Sequence, residues 1–249
     1  MAVSPLHLAA DEDLGSMPLF GPAHLLALLV TVVVSVRAVA VVRRHRDSPA
    51  TARWLTVAGW IMLLIGVGWI AWDLLPARFD IEHAVPVNLS DWARVIIPLA
   101  LITRSWWAVA VAYYWGLSLN AMALLTPDIN YSFSPPVEYG MYWFSHIAAF
   151  VAPLVLVWGL GLRPTWRGLG FTWLFTVGWA AIAFGVNLVT GANYGYLRHG
   201  PEGASPFDLM GPWPVYIFVA AAVLAVDHPA ECAAAHRRVS GGGYAPQFA

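Results

Sequence analysis

The chain has 249 residues, of which 59% are hydrophobic and only 11% are charged, and its formal net charge is −1. Soluble domains typically contain about 25% charged residues, so this composition excludes an ordinary soluble protein and indicates a membrane protein. The chain offers no basic groove, which argues against a nucleic-acid-binding protein. Its single cysteine, Cys232, excludes a disulfide within the chain.

Seven hydrophobic segments are predicted to cross the membrane as helices. Most contain roughly 17 to 25 residues, the length that a helix needs to span the hydrocarbon core. Short loops connect them, so we predict an all-α, polytopic domain over residues 18–228, between a disordered outer tail at 1–17 and a flexible cytoplasmic tail at 229–249. The segments begin near Leu19, Trp54, Val85, Trp106, Tyr139, Leu169 and Leu209.

Loops that contain arginine alternate along the chain with loops that contain acidic residues. By the positive-inside rule, the arginine loops are cytoplasmic, the N-terminus is outside and the C-terminus is inside. We therefore predict a multi-pass protein of the cell membrane, and the lysine-free composition rich in Ala, Arg and Trp is typical of a GC-rich bacterial genome. The inner side is defined by Arg37, Arg43, Arg44, Arg46, Arg53, Arg104, Arg163, Arg167, Arg237 and Arg238. The acidic residues of the opposite side are Asp11, Glu12, Asp13, Asp80, Glu82, Asp128, Glu138, Glu202 and Asp208.

The third segment contains Asn88, Ser90, Asp91 and Arg94 within an otherwise apolar run. A charged residue at depth in a membrane costs at least about 2.5 to 3.5 kcal/mol, so these side chains are expected to face the interior of the bundle. The third helix is therefore predicted to be central. Asp91 and Arg94 have the i,i+3 spacing of an ion pair. This pair is either structural, or it presents Arg94 as an anchor for a phosphate or carboxylate group.

Polar residues from five segments are predicted to share one depth, within about 10 to 15 Å of the outer surface, because a helix rises about 1.5 Å per residue. Their convergence predicts a single polar pocket that opens to the outer leaflet or the extracytoplasmic space. The set comprises His24, Asn88, Ser90, Asp91, Arg94, Asn120, His146 and Asn187. The segments near the seventh helix add Asn193, Tyr194 and Asp208 as further candidate ligand-binding residues.

His24 and His146 are candidate acids or bases, because histidine titrates near neutral pH. The alternative is that each forms an interhelical hydrogen bond that orients two helices. Ser90 is in the same way either a candidate nucleophile or a serine that packs between helices. The chain has no HxxxH, CxxC or HExxH spacing, so no metal site and no cofactor are predicted.

Six stretches of sequence occur in a characteristic order: FGPAHLLALL, VPVNLSDWARVIIPLALITR, YYWGLSLNAMALLTPDI, SHIAAF, NLVTGANYGYLRHGP and SPFDLMGPWPVY. Together they resemble the YwaF family of bacterial integral membrane proteins, which is also similar to eukaryotic transmembrane protein 164. The resemblance extends from about Leu19 to Val226. The combination of these elements is specific, whereas any one of them alone is weak.

The resemblance implies acyl transfer, because the eukaryotic relative is described as an acyltransferase that moves fatty acyl chains between phospholipids with a cysteine and a histidine. The family pattern Pro-Leu-His-Leu-Cys-Asp matches Pro86 to Asp91, where Asn88 replaces the histidine and Ser90 the cysteine. The implied roles are Ser90 as nucleophile, His146 as base and His24 as an auxiliary residue. Asn88 or Asn187 would donate to the oxyanion, and Arg94 would hold a headgroup phosphate.

The replacement of the family cysteine leaves a non-catalytic alternative open. The same residues would then recognise an outer-leaflet lipid or a small polar ligand in a binding or transport protein. A third reading is a structural subunit of an envelope complex. Membrane lipids are the expected partners in each case, and the sequence identifies no protein partner.

Overall fold

The computed structural model describes residues 19–127, 129, 134–201 and 205–226, with the side chains of 223–226 left out. Over these ranges the chain forms helices and no strand. The helices are α1 (Pro22–Arg44), α2 (Pro49–Asp73), α3 (Leu89–Thr103), α4 (Trp106–Leu125), α5 (Pro135–Gly159), α6 (Trp166–Thr190) and α7 (Val215–Val226). The predicted tails lie outside the described residues, as do Asp11, Glu12, Asp13, Asp128, Glu202, Cys232, Arg237 and Arg238.

Five of these helices, α1, α2, α4, α5 and α6, are long and apolar enough to cross a membrane. The prediction of a helical membrane protein is thereby confirmed, whereas the number of spans is not settled at seven. In the described residues α3 has 15 residues and α7 has 12. At about 1.5 Å per residue, neither described length reaches across a hydrocarbon core of about 30 Å.

The predicted start of the third helix at Val85 is wrong, because α3 begins four residues later, at Leu89. Side chains from elsewhere bind the backbone of the preceding residues and replace helical hydrogen bonds. The Val85 N–H donates to the Tyr194 hydroxyl at 3.0 Å, and the Val87 carbonyl accepts from the Trp179 indole at 2.9 Å. The seventh helix also begins later than Leu209, since Pro206–Leu209 forms a 3₁₀ turn before α7.

Helices α3 and α4 form the centre of the bundle. The side chains from Ala108 to Trp115 of α4 are all buried, and α4 packs on α3, α5, α6 and α7. α3 buries one side, which includes Ile97 and Ala100, as expected of a central helix. By contrast, α1 and α2 expose most of their apolar side chains, as helices do at a lipid-facing periphery.

Glycines permit the closest helix crossings, as is common between membrane helices. A Cβ atom at Gly59 of α2 would lie 2.9 Å from the Pro98 carbonyl oxygen of α3. One at Gly116 of α4 would lie 2.5 Å from the Ala149 carbonyl oxygen of α5. Both distances are shorter than a carbon atom tolerates, so these two crossings require glycine.

The two ends of the bundle differ in charge. Contacts bring the predicted cytoplasmic loops to one end, here called the basic end: Arg104 donates to the Ala52 carbonyl at 2.7 Å, and the Arg167 guanidinium lies over the Trp106 ring. The opposite end is called the acidic end. That the acidic end faces outward and the basic end faces the cytoplasm remains a prediction.

Two arginines, Arg78 and Arg198, lie at the acidic end, so arginine is not confined to the basic end as the loop pattern indicated. Arg78 is nearly buried and contacts Asp73 at 3.4 Å and Glu138 at 3.2 Å. Arg198 donates to the Gly191 carbonyl oxygen. Both cations are therefore used to fix local structure, which explains their presence on the acidic side.

Candidate functional site

A pocket lies in the half of the bundle nearer the acidic end, between α2 and α5, which both pack on α3. Its cavity volume is about 30 Å³, which is room for roughly two water molecules. The polar side chains of its wall are Ser90, Arg94, Asn120, Ser145 and His146. The other lining residues are apolar or glycine: Met62, Ile65, Gly66, Ala93, Ile97, Pro98, Phe144, Ala148 and Ala149.

His146 is held in one orientation by Asn120. The Asn120 Nδ2 group donates to the His146 carbonyl at 3.0 Å and to the Gly116 carbonyl at 3.4 Å. The Asn120 Oδ1 atom therefore faces His146 Nδ1, at 2.7 Å, and must accept a hydrogen bond from it. Because Nδ1 then carries the proton, Nε2 carries the lone pair of the neutral imidazole.

The backbone of α4 and α5 brings these two residues together. Gly116 allows the two helices to touch, and Asn120 follows it by four residues, which is about one turn. His146 precedes Ala149, the residue that meets Gly116, by three residues on α5. Residues 115–119 form a π-helical turn directly before Asn120, a feature often found near functional sites. The His146 ring also packs on Tyr142, with ring centroids 4.3 Å apart.

Arg94 enters the pocket as part of an ion pair with Asp91. Its Nη1 group lies 2.5 Å from Asp91 Oδ1, while Asp91 Oδ2 accepts from the Asn88 backbone N–H at 3.0 Å. The two side chains are 17% and 11% exposed, so most of this charge is removed from solvent. The Arg94 Nε atom is buried and has no hydrogen-bond partner among the described residues. One donor of the guanidinium is thus unused.

Ser90 occupies the first turn of α3 and lines the same pocket, where it is half-buried. The first backbone N–H groups of a helix lack intrahelical partners and carry a partial positive charge. Ser90 therefore lies at a position where negative charge on its hydroxyl or on a nearby group is stabilised. Among the described residues, no hydrogen bond joins Ser90 to His146 or to His24.

His24 lies outside this pocket and is fully buried between α1 and α4. Its Nδ1 atom accepts from the Phe20 backbone N–H at 2.9 Å, so its Nε2 group donates to the Leu124 carbonyl at 2.8 Å. Both ring nitrogens are therefore occupied by backbone groups. This geometry corresponds to the interhelical alternative and leaves no lone pair for a substrate.

A second polar region comprises Asn88, Trp179, Asn187 and Tyr194, and we call it the frame. Asn187 is fully buried and binds Tyr194 twice: its Nδ2 donates to the Tyr194 carbonyl at 2.9 Å, and its Oδ1 accepts from the Tyr194 N–H at 2.7 Å. The Tyr194 hydroxyl donates to the Ile81 carbonyl at 2.6 Å. Burial raises the pKa of the Tyr194 phenol, which keeps this donor protonated.

The frame holds the start of α3. Asn88 Oδ1 accepts from the Gly195 N–H at 3.2 Å, so its side chain is directed to the segment after α6. Asn193 Oδ1 accepts from the Arg198 N–H at 2.9 Å, and Asp208 Oδ2 accepts from the Ser205 N–H at 2.8 Å. Each of these side chains binds backbone groups of the loops at the acidic end, and none lines the pocket.

The predicted cluster is thus divided in the structure. Ser90, Arg94, Asn120 and His146 meet in one pocket, with Asp91 holding Arg94. Sequence reasoning missed the ion cluster of Asp73, Arg78 and Glu138, because Glu138 lies 60 residues from Arg78 in the chain and Arg78 falls in a loop predicted to be acidic. It also missed Gly66, whose Cβ would lie 3.0 Å from the Arg94 Cβ. A search for glycines repeated at seven-residue spacing would have found Gly59 and Gly66.

No group of three or more His, Cys, Asp or Glu side chains in the described part of the chain is arranged to hold a metal ion. The sequence profile of the TMEM164 family matches residues 19–228. No curated protein and no solved structure gives a match to the chain. The chain therefore belongs to the TMEM164 family and is a helical membrane protein.

Proposed function

We propose that this member of the TMEM164 family transfers acyl chains between membrane lipids, with Ser90 as nucleophile and His146 as base. The observation that carries the proposal is the Asn120–His146 hydrogen bond, which leaves the lone pair on Nε2 of a histidine that shares a pocket with Ser90. A serine hydroxyl requires such a base, and a base oriented by a third group is the recurring arrangement of nucleophilic catalysis.

The proposed reaction has two balanced steps. The Ser90 oxygen attacks the ester carbonyl of a donor lipid while its proton passes to His146 Nε2, and the released lysolipid alkoxide then takes that proton. The hydroxyl of an acceptor lysolipid next attacks the acyl-serine, and its proton returns Ser90 to the hydroxyl form through His146. Both steps require a hydrogen bond between Ser90 and His146, which commonly tightens only when substrate binds.

The start of α3 would stabilise the charge that develops in each step. Free N–H groups at a helix N-terminus suit the role of an oxyanion hole, and Arg94 lies one turn further along the same helix. Asn88 and Asn187, the donors implied by the family resemblance, bind loop backbone instead. The small volume of the pocket suits an ester group whose chains and headgroup remain in the bilayer.

Lipid transfer can be measured with purified protein in nanodiscs that contain a labelled phosphatidylcholine donor and a lysophospholipid acceptor. Ser90→Ala is expected to abolish transfer. Ser145→Ala is the matched control, because Ser145 lines the same pocket from α5. It is expected to retain transfer. Undiminished transfer by Ser90→Ala would remove Ser90 from the mechanism.

The family cysteine offers a second test of the same residue. A Ser90→Cys variant in a Cys232→Ser background restores the residue of the family pattern, and a thiol is partly ionised at neutral pH without a base. We expect this variant to transfer acyl chains and to lose that activity on treatment with N-ethylmaleimide. Retention of full activity after alkylation would place the reaction elsewhere.

A second candidate function is the binding of an anionic ligand without catalysis. It is favoured by the buried Nε atom of Arg94, which has no hydrogen-bond partner among the described residues, since unsatisfied donors of a guanidinium suit a phosphate or carboxylate. Short-chain phosphatidic acid would then raise the melting temperature of the wild type and of Ser90→Ala, but not of Arg94→Gln. Transfer activity that depends on Ser90 would decide against this candidate.

A further inference from the structure

α1 carries two stripes of opposite character. His24, Thr31, Ser35 and Val42 are buried, and their spacings of 7, 4 and 7 residues place them on one side of the helix. The same spacings recur two residues later in Leu26, Val33, Arg37 and Arg44, which are all exposed. Two residues turn a helix by about 200°, so this second stripe lies nearly opposite the first and faces lipid.

Arg37 is a charged residue on a lipid-facing surface. It lies seven residues, about 10 Å, before the end of α1, within a stretch that is apolar enough to span a membrane. Leu26 and Val33, the residues above it on the stripe, are 60% and 49% exposed. A charge at such a position is costly unless its head reaches water or a lipid phosphate. The ion pairs of the described residues include neither Arg37 nor Arg44.

We propose that this stripe of α1 binds an anionic phospholipid, whose phosphate lies between Arg37 and Arg44 and whose acyl chain follows Val33 and Leu26. The two arginines are seven residues apart and therefore within about 20° of each other around the helix. Their Cα atoms lie about 10 Å apart along the helix axis, a separation that two long, flexible arginine side chains can bridge to one phosphate. Two planar guanidinium groups suit the oxygens of one phosphate.

The surrounding charge favours an anionic over a zwitterionic lipid. Arg43, Arg46 and Arg53 are also exposed at the basic end, and Asp47 is the acidic residue of the loop between α1 and α2. Asp47 is itself paired with Arg46, at 3.7 Å. Trp54 is 72% exposed beside Arg53, as is typical of a side chain at the headgroup level. This site lies at the other end of the bundle from the pocket and does not depend on the proposed function.

The proposal can be tested with the full chain in phosphatidylcholine nanodiscs that contain a minor fraction of phosphatidylglycerol, by native mass spectrometry of the lipid that remains bound. We expect preferential retention of phosphatidylglycerol. Arg37→Gln and Arg44→Gln should each weaken retention about fivefold, and the double variant about 25-fold, from the usual attraction of one arginine to an anionic surface. Arg163→Gln is the matched control, because Arg163 is exposed at the same end but on the loop between α5 and α6. It should have no effect.

Two results would overturn the proposal. Equal retention of the two lipids by the wild type would show that α1 does not select anionic headgroups. A loss in Arg163→Gln as large as in the double variant would show a diffuse effect of the basic end rather than a site on α1. Unfolding temperatures in pure phosphatidylcholine should be alike for all variants, since the exchanged side chains are exposed.

Discussion

The pocket and the frame are both built from polar side chains in the same half of the bundle, but their polar atoms are used differently. In the frame, both ends of the Asn187 amide bind Tyr194, and the Tyr194 hydroxyl both accepts from Val85 and donates to Ile81. In the pocket, His146 presents one occupied nitrogen and one lone pair, and Arg94 has an unused donor. The Asn187 amide and the Tyr194 hydroxyl are therefore saturated, whereas His146 and Arg94 in the pocket are not.

This difference separates structural from chemical roles more clearly than residue type or depth does. A saturated buried group stabilises one conformation, and its loss leaves partners unsatisfied. A group with hydrogen-bonding capacity that faces a cavity can still bind a ligand. His24 and His146 illustrate the contrast within a single residue type, because only His146 combines a lone pair with a place in the pocket wall.

Replacement of each histidine should give the largest contrast. His146→Gln removes the proposed base and is expected to lower lipid transfer about 10²- to 10⁴-fold. His24→Gln should instead lower the melting temperature and leave the transfer rate of the folded fraction unchanged, because His24 binds backbone groups of α1 and α4. Transfer assays in nanodiscs and thermal unfolding in detergent measure the two effects. Loss of transfer by a well-folded His24→Gln protein would contradict a purely structural role for His24.

Replacement of a buried frame residue should lower the free energy of unfolding. Asn187→Ala leaves the buried N–H and carbonyl of Tyr194 without their partner and is expected to cost about 3 kcal/mol of unfolding free energy. Asn193→Ala is the matched control, because Asn193 is only half-buried and water can replace its hydrogen bonds. Its effect should be below about 1 kcal/mol. Denaturation of the two variants in mild detergent measures this difference in unfolding free energy. Equal losses of unfolding free energy would show that the frame is not the rigid part of the acidic end.

The smallest effect is expected where the pocket meets α2. Gly66→Ala places a Cβ 3.0 Å from the Arg94 Cβ and from the Arg94 carbonyl oxygen. The resulting separation of α2 and α3 should cost about 1 to 3 kcal/mol. Gly68→Ala on the same helix meets nothing within 4 Å and should stabilise the protein slightly, because alanine favours the helix. Thermal unfolding of both variants shows whether each substitution raises or lowers the unfolding temperature. A higher unfolding temperature for Gly66→Ala would show that the crossing of α2 and α3 can accommodate a Cβ atom.

Much of the fold follows from local pattern. The apolar segments predict the helices because a membrane leaves few alternatives to a helix for any long apolar stretch, and α4 begins at Trp106, where the fourth segment is predicted to begin. The Asp91–Arg94 pair was predictable for a similar reason, since its spacing of three residues brings the side chains together on any helix. The polar character of the central third helix also follows from its own composition.

The pocket depended on contacts that no local pattern encodes. Eight polar residues at one depth gave no measure of how each helix is rotated, and the rotation decides that Asn120 meets His146 while His24 meets Leu124. The length of α3 was likewise decided by Tyr194 and Trp179, which are remote in sequence and bind the backbone before Leu89. Hydropathy and spacing were enough to predict a helical membrane protein and the Asp91–Arg94 ion pair, because these depend on transfer into lipid and on short-range geometry. Tertiary structure decided which polar atoms are satisfied, because that depends on helix rotation and on close crossings such as Gly116 against Ala149.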